Sequence, residues 1–171
     1  MTNPLQPLLE GTLLTLRPLK PSDHDELYLC ASDKDIWAQH PQSDRHKPEV
    51  FQQYFNGALE SGGAFAVLDQ ATGRMIGCSR YYDFKPPEAK IGYTFLTRAY
   101  WGGLYNHELK DLMLKHIFRY CERIHLEIGR NNLRSRIATQ RIGATLAIDP
   151  VGASKVTYTI ERGHYLGKES K

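Results

Sequence analysis

Cysteine is scarce in this chain: Cys30, Cys78 and Cys121 are the only three, odd in number and far apart. A disulfide framework is therefore not expected, and the thiols read as reduced core or surface groups. Neither CxxC nor HExxH nor a comparable ligand spacing occurs, so no metal is expected. The seven histidines are scattered, which favours surface or hydrogen-bonded roles for most of them. No stretch approaches the ~18 consecutive apolar residues of a membrane span. Residues 1–10 carry no basic segment followed by an apolar run, so no signal peptide and a cytoplasmic location are expected. The absence of GxxxxGK[ST] argues against a P-loop nucleotide hydrolase. No GxGxxG follows the first strand, which disfavours a dinucleotide fold. Repeats, low-complexity blocks and Gly/Ser-rich linkers are also missing.

What remains is an ordinary globular composition. The 171 residues, 41% hydrophobic and 24% charged, suit a single domain that buries about 70% of its unfolded surface. The net charge of +3 is too small to imply nucleic acid, and it mildly favours an anionic ligand.

Hydrophobic periodicity sets the elements. A strand is predicted over 12–17, stopped by Pro18, and a helix after Pro21, Ser22 and Asp23. Val50, Phe51, Tyr54, Phe55 and Ala58 give a helix over 48–59. The period then changes to that of strands over 64–69 and 75–82, joined by a turn. Pro86 and Pro87 interrupt before a strand over 90–96. A helix over 105–122 has Leu109, Leu112, Met113, His116, Ile117, Tyr120 and Cys121 as its apolar stripe. Its solvated face would carry Glu108, Asp111, Lys115, Arg119 and Glu122. A short strand over 125–128, a helix that Asn131 and Asn132 precede and that ends at Gly143, and strands over 144–148 and 155–160 complete the order β-α-α-β-β-β-α-β-α-β-β. The fold class is α/β (α+β): a mixed, mostly antiparallel sheet with helices on both faces.

Two segments could carry chemistry. In the first, a strand ends at Leu96, and a loop with Arg98, Trp101, Gly102 and Gly103 opens the long helix near Tyr105. Free N–H groups at a helix start, behind glycines that admit a ligand, make an anion site. A purely structural Gly-Gly turn explains the same residues. The second segment holds Arg130, Asn131, Asn132, Arg134, Ser135 and Arg136, with Arg141 beyond. It is either an anionic contact or a helix cap with a solvated basic face.

The residues from Tyr100 to Lys110, preceded by Ile91, Gly92 and Tyr93, resemble the pyrophosphate-binding segment of the GNAT superfamily of N-acetyltransferases. Asn132, Leu133, Arg134 and Ser135, leading to Arg141, Ile142, Gly143 and Ala144, resemble that family's second signature. The opening Leu14 to Leu19 is similar to the first strand of the branch containing ribosomal-protein N-acetyltransferases. The resemblance covers residues 11–162, with 1–10 and 163–171 as terminal extensions. It implies a central sheet with a splayed strand pair and acetyl-CoA as co-substrate. It further implies that the backbone from Gly102 through Gly103, Leu104 and Tyr105 to Asn106 holds the pyrophosphate. Leu96 would lie on the strand that parts around pantetheine, with Arg98 helping to neutralise phosphate. Asn132 would contact the pantetheine amides and Ser135 would lie near the thioester sulfur. Four positions depart from the usual pattern: Leu104 where Gly is usual, Asn106 where Gly or Ala is, Lys90 where a carboxylate is often found, and Thr139 where many members carry Tyr.

Amide formation needs a neutral amine, a stabilised oxyanion and a thiolate that can leave. Glu88, Asp83 and His40 are the candidate bases, Glu88 foremost. Ser135 either donates to sulfur or caps its helix. Tyr81 and Tyr82 either line the acceptor pocket or pack across the sheet. The reading is an N-acetyltransferase acting on a primary amine, a small molecule or a peptide N-terminus, without an acyl-enzyme. The alternative is a coenzyme-A-binding module that has lost activity. RNA association through Arg130, Arg134, Arg136 and Arg141 is a third reading, and nucleic acid is not expected as the partner. A homodimer is common in the family and accords with the prevalence of symmetric oligomers.

Overall fold

A computed structural model describes residues 3–167. Among these, eight strands form one sheet: β1 (Leu9–Glu10), β2 (Leu14–Pro18), β3 (Ala64–Asp69), β4 (Met75–Lys85), β5 (Glu88–Leu96), β6 (Arg123–Gly129), β7 (Thr145–Ile148) and β8 (Lys155–Glu161). Their order across the sheet is β1-β2-β3-β4-β5-β6-β8-β7. Every pairing is antiparallel except β5 with β6. The helices are α1 (His24–Ala31), α2 (Lys34–Trp37), α3 (Pro48–Glu60), α4 (Leu104–Ile117), α5 (Leu133–Arg141) and α6 (Arg162–Gly167). No helix among the described residues is long and apolar enough to cross a membrane.

Two cores lie on the two faces of the sheet, as the mixed-sheet reading expected. On one face, Leu109, Met113, Leu114 and Ile117 of α4 pack on Leu14, Phe65, Tyr81, Ile91 and Leu126. On the other, Phe51, Tyr54, Phe55 and Ala58 of α3 join Leu27, Trp37, Cys78 and Phe95. The α3 residues follow the spacing read in the sequence, and each large apolar side chain so buried contributes about 1.5–3 kcal/mol.

Strand β3 has the predicted bounds. Helix α4 ends five residues before the predicted 122, because Phe118 adopts the cap position and the chain turns toward β6. Glu108 does not belong to a solvated face. Its carboxylate accepts from the backbone N–H groups of Thr12, Leu13 and Leu14 at 3.0, 2.8 and 2.7 Å and from the Thr12 hydroxyl at 2.8 Å. It thereby satisfies the amides at the start of β2. Lys110, absent from the predicted stripe, is buried on α4, whereas Tyr120 is exposed. The residues read as terminal extensions include Leu5 and Tyr165, both part of the α4-side core, and β1, which pairs with β2.

The feature that positions the site lies in β5. Cys78 and Arg80 of β4 face Phe95 and Gly92 of β5, so two residues of β5, Tyr93 and Thr94, stand against Ser79 alone. Tyr93 has φ 55°, the left-handed conformation that a bulge of this kind accommodates. Strand β6 pairs with β5 only from Glu88 to Lys90, then continues to Gly129 against β8. Beyond Lys90 the two parallel strands part.

Candidate functional site

The parting of β5 and β6 opens a cavity of about 730 Å³. Its walls are Ile91 to Leu96 on one side and Leu126 to Gly129 on the other. Backbone groups of β5 that would meet a neighbouring strand face this space instead.

One mouth is built by two helix starts. Gly102 and Gly103 line it with φ of 117° and 98°, values that favour glycine. A Cβ at either position would meet nothing within 4 Å, so the turn leaves room for a ligand against the backbone. Gly103 is the N-cap of α4 and offers no side-chain cap, leaving the first-turn N–H groups for an anion. Asn132 caps α5, its side chain accepting from the Ser135 N–H at 3.3 Å. Asn132, Ser135 and Thr139 follow one face of α5, and all line the cavity. The Ser135 hydroxyl is not needed as a cap. Arg134 lies 3.6 Å over the Trp101 ring, and Trp101 is fixed by its indole N–H donating to the Leu96 carbonyl at 2.9 Å. Burial lowers the Arg134 pKa.

The cavity brings together many of the residues singled out in the sequence: Leu96, Trp101, Gly102, Gly103, Asn106, Asn132, Arg134, Ser135, Thr139, Arg141 and Tyr82. Arg98, Glu88 and Tyr81 lie elsewhere, and Leu104 and Tyr105 bring only their backbone, as the first residues of α4 at the mouth. The Arg98 guanidinium pairs with Asp33, the N-cap of α2, and with Asp35 at 3.6 Å. Glu88 sits where β5 and β6 are still paired, accepting from His125 at 3.0 Å and Arg123 at 3.3 Å. The His125 and Arg123 hydrogen bonds hold its carboxyl below the usual range. Tyr81 is wholly buried on the α4 side, its hydroxyl donating to the Met113 carbonyl at 2.5 Å. Leu104 is exposed, and Tyr105 packs edge-on against Tyr100 at 4.9 Å.

Several lining residues were missed in the sequence. Lys110 reaches the cavity from α4 and donates to the Thr94 hydroxyl at 2.6 Å. With no carboxylate beside it, burial pulls its pKa down to about 7. Glu127 of β6 is the one carboxylate on the wall among the described residues, held by Lys90 at 2.6 Å. Lys90 also reaches Asp83 at 3.0 Å. Arg45, from the loop between α2 and α3, lines the α3 side. His40, one of the bases named from sequence, does line the cavity, and burial, then Arg45 and Arg134, push its pKa down to about 4. No group of three or more potential metal ligands occurs among the described residues.

A family model described as an acetyltransferase (GNAT) domain matches residues 14–145. The chain belongs to the GNAT acetyltransferase family. No curated protein sequence matches it. Among solved structures it is similar to a GCN5-related N-acetyltransferase from Brucella melitensis, with 19% identity, 99% of this chain and 85% of that one covered, and a TM-score of 0.80. It is similar also to a GNAT-family acetyltransferase from Bacillus anthracis (17% identity, 91% and 99% covered, TM-score 0.75). A third is RimJ of Mycobacterium smegmatis in complex with CoA-disulfide (16% identity, 92% and 89% covered, TM-score 0.65). These structures share the fold: a mostly antiparallel sheet with flanking helices.

Proposed function

We propose that this protein transfers the acetyl group of acetyl-CoA to a primary amine by direct attack while both substrates are bound. The observation that carries the reading is the opening between β5 and β6, with the starts of α4 and α5 at its mouth. When bound, acetyl-CoA supplies the activated acyl carbon and a thiolate leaving group.

The residues present fit such a ligand. The open turn at Gly102 and Gly103, with Asn106 in the first turn of α4, would hold the pyrophosphate, and Arg134 supplies the cation first sought in Arg98. Pantetheine carries two amides, and the edge of β5 beyond Lys90, which no strand covers, offers them strand-like hydrogen bonds. Asn132 stands beside this edge, and the free Ser135 hydroxyl is available to the departing sulfur. A backbone N–H near the bulge serves the negative charge that builds on the acyl oxygen.

An alkylamine is mostly protonated near pH 7, since its pKa lies near the Lys reference of about 10.4. Glu127 replaces Glu88 as the group that binds the ammonium and accepts its proton. The amine nitrogen then attacks the acyl carbon, the carbon–sulfur bond breaks as the amide forms, and the nitrogen's second proton passes to the departing thiolate, with the Ser135 hydroxyl beside it. No cysteine lines the cavity, and burial pushes the Cys30 and Cys78 thiols up to about 11 and raises that of Cys121 as well. Three unpaired cysteines suit a reducing compartment, and we place the reaction in the cytoplasm.

Thermal unfolding with and without saturating acetyl-CoA is the first test. At about 100 times its dissociation constant a ligand adds about 2.7 kcal/mol, which should raise the midpoint by about 5–10 °C. No shift would remove the donor site. A shift without acetylation of any amine in a broad panel would leave a coenzyme A-binding protein and overturn the transfer reading.

A further inference from the structure

On the α3 side of the cavity two guanidinium groups lie with no carboxylate against them among the described residues. Arg45 stands over the rings of Trp37, Tyr54 and Tyr93, with its central carbon 5.4 to 5.5 Å from each centroid. It makes no hydrogen bond or ion pair among the described residues, and its Nε is buried without a partner. Arg80 of β4, only 6% exposed, lies 3.7 Å over the same Tyr93 ring. Its Nε is likewise unpartnered, and its hydrogen bond is a long one, 3.4 Å, to the Tyr54 carbonyl. Asp44, next to Arg45 in the chain, attracts it without reaching ion-pair distance.

Removing a guanidinium from water without a partner is costly, and ring faces return only part of that cost. An anion returns the rest, because the planar fork of Arg matches a carboxylate or phosphate with two parallel hydrogen bonds. Side chains on the cavity wall, with Lys90 behind them, give that anion a direction. From Arg45 the contacts run through Tyr93 to Tyr82, edge-on at 5.2 Å, then to Lys90, 5.7 Å from the Tyr82 ring, and on to Glu127. One end of this line is a free cation and the other is the carboxylate that receives the amine.

We infer that the acceptor is an amine carrying its own anionic group, a carboxylate or a phosphate, seated with its nitrogen toward Glu127 and its anion on Arg45. Arg80, behind Tyr93, adds positive potential without touching the ligand. The inference rests on the acetyl-transfer reading and narrows its acceptor.

The test compares acceptors with and without the anion, amino acids against their amides and phosphoethanolamine against ethanolamine, with each rate referred to the concentration of free amine at the assay pH. The charged member of one pair should show a kcat/KM about 10- to 100-fold higher, the range of a charged hydrogen-bonded contact, and the productive pair distinguishes carboxylate from phosphate. Arg45→Met should bring that ratio to near one while the acetyl-CoA dissociation constant stays within about twofold, and Arg45→Lys should retain part of the preference. Equal use of the neutral member by the wild type overturns the inference, whether or not the variants fold. Loss of acetyl-CoA affinity in a folded Arg45→Met overturns it too, since the anion would then be the donor's own phosphate. If no amine is acetylated, N-acetylated amino acids and their amides are titrated into the CoA-saturated protein. Tighter binding of the acids keeps the anion seat and sinks only the transfer reading, whereas equal binding sinks the seat.

Discussion

Lys110 Nζ donates to Thr94 Oγ1 at 2.6 Å, tying helix α4 to the bulge of β5 where the strands part. Thr94 in turn shares a 2.7 Å hydrogen bond with Ser79, the β4 residue that faces the bulge. A cation at this point keeps the opening polar, while Leu109, Met113, Leu114 and Ile117 of α4 are buried in the core.

That cation has a measurable consequence for stability. Its pKa in the folded chain, about 7, lies below the ordinary 10.5 because burial disfavours the charge. The unfolded chain therefore binds the proton more readily between these values, and the wild type gains stability as pH rises through them. The contribution is full above the ordinary pKa and lost as pH falls toward 7. Lys110→Met has no such dependence. Chemical denaturation of both proteins from pH 6.5 to 9.5 should show the wild type gaining on the variant as pH rises, other titrations cancelling in the difference. A constant gap would mean that Lys110 keeps an ordinary pKa.

Much of this architecture was legible in the sequence, and the exceptions have specific causes. The spacing of Phe51, Tyr54, Phe55 and Ala58 gave α3, which buries one face, and the apolar run that follows Gly62 and Gly63 gave β3, which is buried on both faces. Lys110 was missed because α4 faces both the sheet and the opening. Its buried arc is wider than an apolar stripe, and a lysine on that arc reads as solvated. Glu127 was missed for a related reason: it alternates with buried Leu126 and Ile128 like any outward strand residue, and its surroundings become a cavity wall only because β5 departs. Arg45 sits in an aperiodic loop. The resemblance implied that Arg98, in the loop before Gly102, helps neutralise phosphate, but the N-cap of the four-residue α2, Asp33, takes the guanidinium.

The glycine turn yields a second prediction. Gly103 has φ 98° and open space where a Cβ would be, so a substitution meets backbone strain but no clash. Gly103→Val should lose about 1–3 kcal/mol of stability. It should weaken acetyl-CoA binding by more than tenfold, because the side chain fills the approach to the backbone. Calorimetric titration of the folded variant checks this. Unchanged affinity would discard the phosphate contact at this turn.

Ser135 and Asn132 separate capping from chemistry on one helix. Asn132→Ala removes the side-chain acceptor that caps α5 and should cost ~1 kcal/mol of stability. Ser135→Ala removes a hydroxyl that makes no cap, so stability should change by less than about 0.5 kcal/mol. Its turnover should nevertheless fall by about tenfold, the worth of one hydrogen bond at the departing sulfur. Acetyl-CoA affinity should hold within about twofold. Unchanged turnover in Ser135→Ala would remove the serine from the reaction.

Glu127 and Glu88 are both glutamates on the paired strands β5 and β6, and position alone distinguishes them. Glu127 lines the cavity, while Glu88 is engaged by His125 and Arg123 away from it. Glu127→Gln should lower kcat/KM by about 10²–10³-fold at pH 7, within the usual reach of a general base. Lys90 retains Asp83 at 3.0 Å, so the fold should survive. The deficit should shrink as pH rises and the free amine deprotonates in solution. Glu88→Gln, by contrast, should leave the pH–rate profile unchanged. If Glu88→Gln instead carries the pH-dependent deficit and Glu127→Gln does not, the proton leaves by way of the lower end of the strands, and the carboxylate on the cavity wall serves only to hold Lys90.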